Sequence, residues 1–130
     1  MIYKKIAILK KDKYIIIPQR HTRNFDKIDT VYNYLKKKYN VMIIDFAKYS
    51  INEQIKICAS AWAIIGCEGA AFANQIFMEK KSLIIAICYN HDLQRILFQS
   101  TIAKYMNHEF NTIPIKNTTD INLILNNIFS

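Results

Sequence analysis

The chain has 130 residues, 52% hydrophobic and 12% aromatic, with 18 Lys and Arg against 10 Asp and Glu, a formal net charge of +8. That length fits one domain with a single core, the apolar content excludes a disordered tail, and two glycines and two prolines exclude collagen-like and turn-dense repeats. No apolar run approaches the ~18 residues of a transmembrane helix, and residues 1–10 are charged too early for a signal peptide.

In chain order, residues 6–9 form a short apolar segment that could pair as a hairpin with the next run. Residues 14–17, Tyr-Ile-Ile-Ile, are continuous and apolar and are closed by Pro18, the pattern of a strand buried on both faces. Ile28, Val31, Tyr32, Leu35 and Tyr39 then recur at helical spacing up to Asn40. Residues 41–44 read as a second strand. Ser50-Ile51-Asn52-Glu53 is a capping box, opening a helix with Ile51, Ile55 and Cys58 on one face.

Residues 63–65 make a third strand, with Trp62 beside it in the core, and 69–78 read as a buried helix. Residues 83–87 form a fourth strand, 92–106 a helix, and 110–115 a last strand. Asp120 caps a final helix carrying Ile121, Ile124, Leu125 and Ile128. Strands alternating with helices predict an α/β fold, a three-layer Rossmann-like parallel sheet filling residues 1–130 as one domain. The strands of Ile15, Ile43, Ile64 and Ile84 are expected to be central and parallel.

Cys58, Cys67 and Cys88 are odd in number and fit no zinc spacing, so a reducing, cytoplasmic location is expected and no metal site is assigned. The positive charge is carried mostly by scattered lysines, a pattern that favours solubility over a nucleic-acid surface.

Rare residues are more informative than total charge. Both glycines fall in Gly66-Cys67-Glu68-Gly69, and two of the three arginines, Arg20 and Arg23, fall in another short segment. Each segment follows a predicted strand, and in an open parallel sheet such loops share the carboxyl edge where ligands bind. Two readings stand for the glycines: a tight turn needing small residues for packing, or close approach of a ligand to the backbone and the following helix entrance. The arginines either pair with Asp26 or grip an anion with two parallel hydrogen bonds. Glu68 caps amides, accepts a proton or meets a sugar hydroxyl. Ala70 follows in the turn, Asn74 lines the pocket or bonds neighbouring backbone, and Gln54 plays a supporting part.

Together, Arg20 and Arg23, Ser50-Ile51-Asn52-Glu53-Gln54, Gly66-Cys67-Glu68-Gly69-Ala70-Ala71-Phe72-Ala73-Asn74 and Phe77-Met78 resemble the C-terminal domain of glycosyltransferase family 61 over residues 13–87. The resemblance implies the C-terminal half of a GT-B enzyme, with inversion at the sugar carbon. It implies a nucleotide-diphosphate sugar, typically of uridine, as donor substrate, with no cofactor or metal. The implied donor site is Arg20, Arg23, Gly66, Glu68, Gly69, Ala70 and Asn74. The catalytic base is not assigned. The acceptor side is expected on a separate N-terminal GT-B half or acceptor-binding subunit; the alternative reading is a degenerate, non-catalytic Rossmann-like module that binds nucleotide or a partner. Glu68 stands where many relatives have His, and Ala86 where an acid could hold a ribose.

Overall fold

Ile15, Ile16 and Ile17 are all wholly buried, which requires a layer of structure on each face of their strand. The computed structural model, which describes residues 13–19, 28–67, 70–89, 93–115 and 121–129, supplies both. The strands are β1 (Tyr14–Pro18), β2 (Asn40–Ile44), β3 (Ala61–Cys67), β4 (Leu83–Tyr89) and β5 (Glu109–Ile115). The helices are α1 (Ile28–Leu35), α2 (Ile51–Ala59), α3 (Leu93–Tyr105) and α4 (Ile121–Phe129), with 3-10 helices η1 (Phe46–Lys48) and η2 (Ala70–Phe77). The sheet is parallel throughout, in the order β2-β1-β3-β4-β5. The predicted α/β three-layer fold is therefore the observed one.

Alternation along each strand divides the core. Ile15, Ile17, Ile65, Ile85 and Ile87 point to the layer of α1 and α4, where Val31, Leu35, Ile121, Leu125 and Phe129 meet them. Ile16, Ile64, Ile84 and Ala86 point to the other layer, packing with Phe46, Cys58, Phe72 and Met78. Trp62 is a core residue, its ring edge-on to Tyr39 at 5.5 Å between centroids and to Phe129 at 6.5 Å.

Three expectations need correction. The strand of Ile43 is parallel but lies at the sheet edge, and Ile43 is exposed. Its apolar run matches those of the central strands, so sequence could not separate them. The first helix stops at Leu35 rather than Tyr39, because Asn40 is already paired with Tyr14 in the sheet. Tyr39 leaves the helix to pack on Trp62 and Phe129. The α2 capping box forms as read, Ser50 Oγ accepting from the Glu53 amide at 3.2 Å and Glu53 Oε1 from the Ser50 amide at 3.4 Å. Ile51, Ile55 and Cys58 share one face of this helix by their spacing, with Cys58 buried and Ile51 and Ile55 exposed.

Lastly, residues 70–77 are 3-10 rather than α. Eight residues reach about 16 Å as a 3-10 helix but about 12 Å as an α-helix, and they must run back along strands of about 23 Å. The tighter helix covers more of that distance. The hairpin partner at 6–9 and the Asp120 cap lie outside the described residues.

Burial leaves Cys58 without a charged form: its thiol is pushed up to about 12. Since the thiolate is the reactive species, Cys58 should resist a thiol reagent such as DTNB at pH 8 and react only on unfolding. Rapid labelling of Cys58 in the folded chain, read by mass spectrometry, would contradict this packing.

Candidate functional site

The ladder between β1 and β3 places Ile15 opposite Ala63 and Ile16 opposite Ile64. Continuing it brings Pro18 beside Gly66. A Cβ added at Gly66 would lie 3.2 Å from Pro18 Cδ, tighter than ordinary contact. Gly66 has no positive φ, so a left-handed turn does not explain it. Its missing side chain lets the carboxyl ends of β1 and β3 close together. For this glycine the contact with Pro18 gives the packing reading a physical basis.

The β1 end is also tied to β2, the Gln19 amide donating to the Ile44 carbonyl at 2.8 Å. The chain leading to Arg20 and the chain leading to Glu68 and Gly69 thus leave the sheet from adjacent strands at one edge. Arg20, Arg23, Glu68 and Gly69 themselves lie outside the described residues. Ala70 begins η2.

Gln54 and Asn74 are brought together. Asn74 Nδ2 donates to Gln54 Oε1 at 3.4 Å, and Gln54 Nε2 donates to the carbonyls of Phe46 at 2.9 Å and Tyr49 at 3.0 Å. Gln54 spends its amide joining η1, α2 and η2. Its carbonyl oxygen thereby holds the Asn74 amide. Trp62, at the amino end of β3, is remote from this edge.

One contributor is not singled out in the sequence: Pro18 reads only as a strand end, yet it is the residue against which Gly66 packs. The signal available was that proline and glycine occupy matching places at the ends of two predicted strands.

The order β2-β1-β3 means that the chain turns one way from β1 to β2 and the other way from β2 to β3. The crevice between β1 and β3 is the topological switch point, where doubly wound sheets hold ligands beyond the carboxyl ends of their strands. Fold and edge together define a Rossmann-like α/β domain. Residues 2–85, more than half of the chain, match the family Glycosyltransferase 61. The chain belongs to that family and is a glycosyltransferase domain. No curated protein is significantly similar to it in sequence. Among the described residues, no helix is long and apolar enough to cross a membrane.

Proposed function

We propose that this domain binds the nucleoside-diphosphate sugar, of the uridine type, for an inverting glycosyltransferase of GT-B arrangement. One observation carries the reading: the two segments that sequence composition singles out are those that leave the sheet on either side of its switch point. Arg20 and Arg23 neutralise the diphosphate through charge-assisted hydrogen bonds. The leading amides of η2, unpaired as in any helix start, face the same charge. These groups stabilise the negative charge that develops as the diphosphate departs. Asn74, held by Gln54, lines the pocket, and Glu68 caps the turn or meets sugar hydroxyls. A separate half supplies the acceptor and its base, since transfer needs an aligned and activated hydroxyl. The odd number of cysteines and their lack of any zinc spacing support a cytoplasmic location for the domain.

Calorimetry with uridine diphosphate tests the pocket. Arg20→Lys should weaken binding by about 1–2 kcal/mol, the scale of one charged hydrogen bond. Replacing Lys37, exposed on the turn after α1, should change it little. Equal losses would mean diffuse surface attraction, and the donor-site reading would fail.

A further inference from the structure

Helix α3 carries large apolar side chains on its outer face. Inward it buries Gln99 and Ala103, while Leu97 and Phe98 are each 64% exposed and Tyr105 is 87% exposed. A surface helix ordinarily turns charged and polar residues outward, and contiguous exposed apolar side chains mark a contact surface. Phe98, Thr101 and Tyr105 follow one another at three and four positions, the spacing of a helix–helix seam. The polar side chain within that seam is already satisfied: Thr101 Oγ1 donates to the Leu97 carbonyl at 2.7 Å. It presents its methyl group and asks nothing of a partner.

We infer that α3 is the contact surface of a homodimer, packing antiparallel on α3 of a second copy about a two-fold axis, with Phe98 of each copy against Tyr105 of the other. Three features select a second copy. The seam is self-complementary, an aromatic at each end, which an isologous contact requires. Covered aromatics bury roughly 150–250 Å² each, so Phe98 and Tyr105, with Leu97 beside them, offer on the order of 400 Å² of apolar surface. That approaches the apolar share of the roughly 800 Å² per partner in a standard interface. Among the described side chains on the exposed face of this helix Lys104 carries the one charge, and antiparallel crossing offsets the two copies of it. The edge strand beside α3 does not compete for the partner: Pro114 lies within β5 and denies a ladder bond to an incoming strand. This inference does not depend on the donor-site reading.

Analytical ultracentrifugation of the full chain, from about 2 to about 200 µM, covers the weak range for an interface of this size. The expected result is a concentration-dependent monomer–dimer equilibrium. Phe98→Ser and Tyr105→Ser should each raise the dissociation constant roughly tenfold or more, with thermal unfolding of the monomer unchanged. Leu123→Ser, at an exposed leucine on α4 in the opposite layer, should leave it as it is. A chain monomeric throughout that range would overturn the inference. So would a dimer indifferent to both seam variants, or a monomer whose α3 face instead binds phosphatidylglycerol vesicles.

Discussion

Trp62→Ala should cost about 3–5 kcal/mol of unfolding free energy, the range for truncating a large buried aromatic. The ring is 1% exposed and sits in a three-ring cluster, with Tyr39 and Phe129 themselves 5.6 Å apart. Those rings come from the approach to β2 and from the last helix, so removing the indole loosens two distant parts of the chain at once. Aromatic pairs add about 0.5–1.5 kcal/mol beyond their area, and the total native stability of a domain is about 5–15 kcal/mol. Urea denaturation measures the change. A loss below about 0.5 kcal/mol is the surface-substitution range and would contradict the placement of the ring in the core.

His108→Ala should cost about 2–6 kcal/mol, because it strands two buried backbone groups at about 1–3 kcal/mol each. The Ser82 amide donates to His108 Nδ1 at 3.1 Å, and His108 Nε2 lies 3.0 Å from the Gln75 carbonyl. A carbonyl only accepts and an amide only donates, so the imidazole is neutral with its proton on Nε2. Burial lowers its pKa from the usual 6.5, and the bond to the Gln75 carbonyl only partly offsets this. The unfolded chain therefore takes up the proton first. Stability from this group is complete above about pH 6.5 and is lost as pH falls below it, by at most about 1.36 kcal/mol per unit. His108→Gln keeps a donor and an acceptor but cannot titrate. Its stability should fall less steeply between pH 7 and pH 5 than that of the parent chain. Identical slopes would remove His108 as the cause.

What the sequence shows and what it hides have a common physical origin. Continuous isoleucine runs reveal a sheet covered on both faces, since strands open to water alternate. The Ser50–Glu53 box is visible because its two hydrogen bonds span three residues. Strand order is a long-range property, so the run ending at Ile44 looks central while β2 lies at the edge. Residues 70–77 are apolar nearly throughout, so they carry no period that separates an α from a 3-10 helix, and only the distance to be covered between β3 and β4 decides. His108 gives no signal, because its partners are 26 and 33 residues away.

At the site, the rarity of glycine and arginine identifies two segments, but only the sheet order makes them neighbours. Gln54 and Asn74 are 20 residues apart, and their pairing follows from η2 packing on α2. Gly66 reads as a turn residue until the β1–β3 register sets it against Pro18.

The central claim is that the ligand sits at the carboxyl edge between β1 and β3. Titrating the isotopically labelled chain with uridine diphosphate, and following its amide resonances by NMR, tests that claim directly. The account predicts saturable shifts at Gln19, Gly66, Cys67 and the Asn74 side-chain amide, with the Trp62 indole unmoved at the opposite end of β3. Shifts confined to the lysine-bearing surface around residues 36–38, or centred on Trp62, would contradict it.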